Sequence, residues 1–451
     1  MSIQVRIPSS LVSRLLKEVY RPAPREPIVF AFGSHARTLS RDLILIRDVV
    51  IPPESAFMPS QGHGARWKGA YTIELLNRAL EQKLGLFLFH AHPGSKNVEM
   101  SGDDRSSAGQ LLPKFQLILP DRPHGSIVLG EESVAGLVLM PNTDRPEEAM
   151  DIRFVETECI RTWPLPEATI AERLLLEHQP FTNNPLLRTI FKGQVAAVVG
   201  LSGGGSQVAP YLAAFGFREI IGIDDQRVDE SNRFASPNLG WIDSLLGLRK
   251  TLSVKLRVKL VNRTVKFTGI NARVPERAAL DALKRADVII GCVNNLHARA
   301  DLNEIAWRYC IPYVDIGLRM TISQNHPDPK PLLGIPGNLF AAIPGGACLW
   351  CAGFIDDEKL NRETGGLGRS YLQGSNDSDA YVAPFNGTLA GEAAAEVLRL
   401  VAGLRHPRET RRQYDGIEGT LLEMIVNRRD DCPRCNAFLA AGDPLWQPIA
   451  Q

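Results

Sequence analysis

Long apolar runs, a net charge of either sign and an even set of cysteines are all missing from this 451-residue chain. No apolar run reaches the roughly 20 residues that a helix needs to span a bilayer, so no membrane-spanning helix is expected. The formal net charge is only +1, which removes any global electrostatic case for nucleic acid or an anionic membrane as partner. The opening stretch MSIQVRIPSSLVSRLLKEV lacks the apolar centre of a signal peptide. Cysteines number seven, an odd total that argues against a disulfide framework and for a reducing cytoplasm. Internal repeats and low-complexity tracts are absent too.

What is present reads as a soluble globular chain, with 44% hydrophobic and 22% charged residues. Its length allows two or three domains with sizeable cores. The middle stretch VAAVVGLSGGGSQVAPYLAAFGFREIIGIDD, Val195 to Asp225, gives an apolar strand, a glycine-rich turn, an amphipathic helix and a second strand ending in two aspartates. That is a nucleotide-binding βαβ unit. VKFTGI, ADVIIGC and IPYVDIG continue the strand and helix alternation of a doubly wound parallel sheet.

Ahead of it the pattern is mixed α/β without βαβ regularity. It opens with a short amphipathic helix from Leu11 to Tyr20, followed by a strand ending in glycine (PREPIVFAFGS) and a strand meander. A later helix is expected to bury Ile73, Leu76, Ala79 and Leu84. Proline-bearing, less regular sequence places the junction near 165–180. The expected division is 1–165, a linker and helix over 166–192, and 193–451. The glycine-rich loop from 365 to 387 reads as a mobile segment or lid.

Each half carries its own chemistry. In the first, His90-Ala91-His92-Pro93 ends an apolar strand, and Ser101-Gly102-Asp103-Asp104 follows at a helix start. Alternate histidines on a strand-end loop can point at one metal, and a carboxylate from the next helix can complete the set. Three protein ligands and an open fourth position make a catalytic zinc centre. HxHP followed by SxxD resembles the JAMM (MPN/JAB) metalloprotease motif, over about the first 150 residues. The resemblance implies a mixed α/β, cytidine-deaminase-like layered domain that hydrolyses isopeptide or peptide bonds after a ubiquitin-like tail. It implies His90, His92 and Asp104 as zinc ligands, Ser101 as a donor to the tetrahedral oxyanion, and Glu26 as general base. Glu54 is the alternative base, and Asp103 falls one residue short of the ligand spacing.

In the second half, Gly200, Gly203, Gly204 and Gly205 let the backbone turn and bring amides close to phosphate oxygens. On this fingerprint alone, a nicotinamide-dinucleotide site would serve as well. DDQRVDESN, GLRK, ADVIIGCVNNLHAR and a CxxC pair closed by a distant CPRC resemble the ThiF/MoeB/E1 adenylyltransferase superfamily from Gly193 to about Phe438. That resemblance implies a Rossmann-like adenylation domain binding ATP with magnesium. Gly200, Gly203 and Gly205 would cradle the nucleotide, Asp224 would hold the ribose, and Asn232 and Lys250 would reach the phosphates. A homodimer through this domain is implied, with Arg233 reaching across it. Ser202 stands where the family has glycine, and Asn294 where it has the aspartate that holds magnesium.

Cys348, Cys351, Cys432 and Cys435 offer four thiolates, the set of a closed structural zinc; the two CxxC pairs stand far apart in sequence, and the resemblance implies that the fold brings them together. Cys159, Cys292 and Cys310 read as buried core residues. Between Cys351 and Cys432 no cysteine stands for a thioester step; the loop offers Ser375, Asp377 and Ser378 instead. Together the halves imply one polypeptide serving a ubiquitin-like modifier in a bacterial conjugation pathway, with an E2-like partner. Two other functions fit the same residues: maturation of a sulfur-carrier protein, and a modifier-binding scaffold whose second half no longer adenylates.

Overall fold

Alternation along Gly85–Ala91 (GLFLFHA) sorts its side chains onto the two faces of a sheet. Phe87 and Phe89 join one apolar cluster with Val12, Leu15 and Val19. Leu86 and Leu88 join another with Leu75, Leu76, Ala108 and Leu112. His90 is in step with Leu86 and Leu88, so the two-residue period sends it to the side of this second cluster.

The structure, a computed structural model, describes residues 2–22, 26–59, 65–164, 185–319, 321–322, 332–364, 382–405 and 409–443. The N-terminal unit runs β1 (Ser2–Pro8), α1 (Ser9–Val19), β2 (Val29–Arg37), β3 (Arg41–Val50), α2 (Gly69–Gln82), β4 (Gly85–Ala91), α3 (Gly102–Ile118), β5 (His124–Leu129), β6 (Val134–Leu139), β7 (Glu147–Val155) and β8 (Ile160–Trp163). Its strand order is β1-β3-β2-β4-β5-β6-β7-β8, with β1 also paired to β7. Because β1 runs parallel to both β3 and β7, seven strands close on themselves rather than remaining an open layer. α1 packs on one face of this sheet and α2 and α3 on the other.

α2 corrects the sequence reading at one residue: Leu76, Ala79 and Leu84 are buried as expected, and Ile73 is not. Tyr71, Leu75, Leu76 and Ala79 are its buried residues, while Ile73 is 60% exposed. Tyr71 meets Phe30 edge-on at 5.9 Å between ring centroids. Tyr71, Leu75, Leu76 and Ala79 share one face of the helix, and Ile73 lies on the opposite one.

The C-terminal unit contains β9 (Val195–Val199), α4 (Gly205–Phe215), β10 (Glu219–Ile223), α5 (Lys250–Val261), β11 (Lys266–Ile270), β12 (Val288–Gly291), α6 (Leu296–Arg308) and β13 (Tyr313–Leu318). A short pair, β14 (Thr321–Ile322) and β15 (Leu332–Gly334), precedes β16 (Pro336–Ala342), α7 (Asp357–Thr364), α8 (Ala383–Val401), β17 (Thr410–Asp415) and β18 (Thr420–Ile425). The main sheet has the order β11-β10-β9-β12-β13-β16-β17-β18. The first five strands are parallel, as the alternation predicts, and β16, β17 and β18 extend the sheet antiparallel. Strand order reverses between β9 and β12, and such a reversal opens a crevice at the carboxyl ends of the strands.

The two units are welded rather than tethered. Ala36, Leu43 and Leu45 of the first belong to one apolar cluster with Val195, Ile221, Tyr309 and Cys348 of the second. Arg6, carried by β1, is buried and donates to the carbonyls of Tyr309 (2.9 Å), Ala286 (3.1 Å) and Lys284 (3.4 Å). Burial lowers its pKa to about 10. The expected linker lies largely outside the described residues, and its last turns form the helix Pro185–Lys192. Among the described residues no helix is long and apolar enough to cross a membrane.

Candidate functional sites

Three chain segments bring the histidine cluster together. β2 and β4 are antiparallel with Val29 opposite Phe89, and carrying that register outward sets Glu26 level with His92. The amide of His92 donates to the Leu129 carbonyl at 2.9 Å, which anchors the strand end. α3 opens with Ser101 as its N-cap, in a capping box with Asp104. That box fixes the first turn and holds Asp104 beside the histidines.

The resulting distances are those of atoms sharing a centre. His90 Nε2 lies 3.1 Å from Asp104 Oδ1 and 3.6 Å from Glu26 Oε1. His92 Nε2 lies 3.6 Å from Asp104 Oδ2 and 3.7 Å from Glu26 Oε1. Nitrogen and oxygen ligands of tetrahedral zinc stand about 3.3 Å apart, given bonds of about 2.0 Å. His90 Nε2 is buried and makes no hydrogen bond, an orphan that a metal would satisfy. Burial works against the Asp104 charge, yet the adjacent His90 ring and the bonds from Ser101 hold its pKa well below the carboxylate range. The residues therefore fit a zinc ion. A cavity of about 1220 Å³, lined also by Trp67, Met58 and Leu111, opens onto them. Ser101 Oγ donates to Asp104 Oδ2 at 2.7 Å, so it acts on that carboxylate, and a bond to an oxyanion would have to replace this one. Glu54 lines a smaller, adjoining pocket that none of the histidines reaches.

The second site is the crevice at the strand reversal, a cavity of about 600 Å³. Gly200, Ser202, Gly203, Gly204, Asp224, Asn232, Lys250 and Asn294 all line it. Gly200 has φ +84°, and a Cβ there would meet the Cys292 carbonyl at 2.6 Å, so only glycine closes the turn. Ser202 is not among the left-handed residues, which is why a side chain fits at that position. Gly205 does not line the cavity; a Cβ there would stand 2.0 Å from the Gly200 carbonyl, so its role is close packing of α4 on the turn. Asp224 accepts the amides of Leu201 (2.8 Å) and Gln226 (2.9 Å), bracing the glycine turn from the end of β10.

Lys250 opens α5 and is 3% exposed, not on the solvated face with its basic neighbours. Its Nζ donates to Gln226 Oε1 at 2.7 Å, which aims the cation into the cavity it lines. Asn232 is buried and accepts the Asp229 amide at 3.1 Å. Arg233 does not line this cavity in the single chain, and it pairs with Glu230 at 3.4 Å. Gln226, Asp301 and Asn386 line the cavity without having been singled out by the sequence. Asp301 sits on the helix after CVNN, where helical spacing would have marked it. Asn386 comes from a remote helix and leaves no local signal.

The four expected zinc cysteines meet. Sγ separations are 3.8 Å for Cys348–Cys351, 3.6 Å for Cys348–Cys432 and 3.7 Å for Cys351–Cys435. Tetrahedral zinc with bonds of about 2.3 Å sets thiolates about 3.8 Å apart, so the donor set fits a structural ion. Of the other three cysteines only Cys310 is buried; Cys159 and Cys292 are half-buried, and Cys292 lines the crevice. Beside Glu156, burial pushes the Cys159 thiol up to about 12. Ser375, Asp377 and Ser378, with most of the expected lid, lie outside the described residues.

Comparison with known proteins bears on the second half. The family model "ThiF family" matches residues 177–435. The sulfur carrier protein ThiS adenylyltransferase of Escherichia coli is 23% identical over 253 residues, 55% of this chain and 87% of that protein. The ubiquitin-like modifier-activating enzyme 5 of Dictyostelium discoideum is 25% identical over 185 residues, 37% of this chain and 45% of that one. Several other curated relatives are likewise matched over about half of their length or less. The E. coli MccB structure with ATP is similar at 21% identity and TM-score 0.44, over 56% of this chain and 70% of that chain. The histidine cluster lies outside the matched span. This chain belongs to the ThiF family, and its C-terminal region is an E1-like adenylyltransferase domain.

Proposed function

We propose that this ThiF-family chain is a bifunctional enzyme. Its second half adenylates the C-terminal carboxylate of a ubiquitin-like or sulfur-carrier protein, and its first half is a zinc peptidase acting after such a tail. The observation that carries the reading is the convergence of Glu26, His90, His92 and Asp104 in a unit sharing an apolar core with the ThiF domain. The names of two relatives, one for a sulfur carrier and one for a ubiquitin-like modifier, support the substrate class.

In the adenylation reaction the carrier's carboxylate attacks the α-phosphorus of ATP. The bond to the β-phosphate breaks, pyrophosphate leaves, and an acyl-adenylate forms. Lys250, desolvated and held by Gln226, neutralises charge on the transferring group. The glycine turn offers its amides to the phosphates, and Asp224 faces the ribose. Magnesium bound with ATP would offset phosphate charge, and Asn294 offers it an amide oxygen without charge.

In the peptidase half, zinc bound by His90, His92 and Asp104 would polarise the scissile carbonyl and lower the pKa of water. Glu26, level with both ring nitrogens, takes the proton from the attacking water and passes it to the leaving amine. Ser101 orients Asp104.

A homodimer through the nucleotide half is the assembly we propose, supported by exposed Trp241, Ile242, Leu245 and Leu246 beside Leu252, Leu256 and Leu260 of α5. An E2-like protein as acceptor distinguishes the conjugation pathway from sulfur-carrier maturation. The test is intact mass of a candidate carrier after incubation with the protein, ATP and magnesium, together with zinc content. Adenylation and tail cleavage with two zinc ions per chain support the reading. A carrier neither cleaved nor adenylated sinks it, and retained carrier binding without pyrophosphate exchange leaves the scaffold function instead.

A further inference from the structure

The strand order lays the crevice out from side to side. Ala272 and Val274 follow β11, Asp224 ends β10, the glycine turn follows β9, and Ile316 and Gly317 lie on β13; all of them line the cavity. With phosphates on the glycine turn and ribose at Asp224, the base falls on the β11 side. The carrier's tail is left the β13 side. The base side has apolar walls: Ala272, Val274 and Val293 belong to the cluster that also holds Leu302 and Ala306 of α6. A flat heteroaromatic ring suits such walls.

One polar group stands in this wall. Asp301 lies three residues beyond Ala298 on α6, so both point to the same side of the helix, and both line the cavity. Other carboxylates in the lining are engaged. Asp224 takes two amides, Asp225 takes Arg273 at 2.6 Å, and Asp229 takes the Asn232 amide at 3.2 Å. Asp301 makes no hydrogen bond or ion pair among the described residues.

We propose that Asp301 reads the nucleotide base: its carboxylate accepts a hydrogen bond from the exocyclic amino group of adenine and turns guanine away. Adenine presents an amino donor at that edge where guanine presents a carbonyl oxygen, which a carboxylate repels. The inference rests on the ATP reading of the crevice. Burial and the neighbouring charge of Glu304 push the Asp301 pKa up, with His297 opposing, so the carboxylate gains from any donor that approaches it.

Calorimetric titration of the full chain with ATP and with GTP, at several magnesium concentrations, tests this in the wild type, Asp301→Ala and Asp301→Asn. Melting curves confirm that each variant is folded. The wild type is expected to prefer ATP. Asp301→Ala weakens ATP binding by about tenfold or more and leaves GTP unchanged or tighter. Asp301→Asn, whose amide oxygen still accepts, retains part of the preference. An unchanged ATP-to-GTP ratio in Asp301→Ala overturns the proposal. So does a loss that added magnesium restores, because it would put the carboxylate on the metal. Wild type that binds neither nucleotide removes the ATP reading itself, and this inference with it.

Discussion

The histidine cluster and the glycine-turn crevice are built by opposite means. The cluster gathers four side chains from two strand ends and one capped helix turn, and each was visible as a residue type at a spacing. The crevice is organised around a backbone feature, the glycine turn after β9, at a place that exists only because strand order reverses between β9 and β12. Side chains complete it from α5, α6 and α8, far apart in sequence. Both sites are therefore exposed to single substitutions, the cluster at its ligands and the crevice at the side chains that anchor the turn.

The largest contrast is expected at Glu26. Glu26→Gln keeps a neutral acceptor of the same size and removes the base, so peptidase activity should fall by about 10²–10⁴-fold with zinc content and pyrophosphate exchange unchanged. His92→Ala should lose the same activity together with one zinc of two, as elemental analysis would register. Retained cleavage in both variants would dissolve the metallopeptidase reading. On the other side, Lys250→Ala should lower ATP–pyrophosphate exchange by about 10²–10³-fold while cleavage continues. If both activities fell together, the halves could not be treated as separate sites.

Arg6 is where the comparison can be broken deliberately. It serves neither site, but its guanidinium satisfies three carbonyls of the second unit from a strand of the first. Arg6→Ala leaves those carbonyls buried without a donor and should cost about 3 kcal/mol, measured by urea unfolding. The transition should remain single if the shared core of Ala36, Leu43, Leu45 and Tyr309 makes the units cooperative. Two separated transitions would mean that the weld depends on this residue.

These residues also mark what could be read in advance. HxHP, SxxD, the glycine turn and the two CxxC pairs are local patterns, so their segments and ligands could be named from the chain alone. β1 went unread although SIQVRIP alternates Ile3, Val5 and Ile7 with Gln4 and Arg6; the run is short, and β3 and β7 both accept it. In α2 the choice of Ile73 over Tyr71 missed the i, i+4, i+8 row of Tyr71, Leu75 and Ala79, which sets Tyr71 beside Phe30 and leaves Ile73 exposed. Gly205 belonged to the glycine run but faces the turn and not the cavity. Lys250 could be named from the GLRK segment that carries the resemblance, and its burial sets it apart from exposed Lys255 and half-buried Lys259 on the same helix.

The smallest effect is expected at Asn294, and it bears on whether the crevice matches the cluster in competence. Asn294 lines the cavity at the start of α6, beside Asn295, which caps the helix through the Ala298 amide at 2.7 Å. An amide there can orient a hydrated magnesium ion but cannot neutralise it. Asp224, Asp225 and Asp229 are tied to amides and Arg273 and are poorly placed to substitute for it. Asn294→Asp adds the charge without changing shape, so pyrophosphate exchange should rise by no more than about tenfold, with half-saturation at lower magnesium. Robust exchange in the wild type, raised only slightly in the variant, would mean that Lys250 and the turn amides carry most of the charge stabilisation. Exchange that begins only in Asn294→Asp would mean that this half binds its carrier without activating it, leaving the peptidase as the sole catalyst.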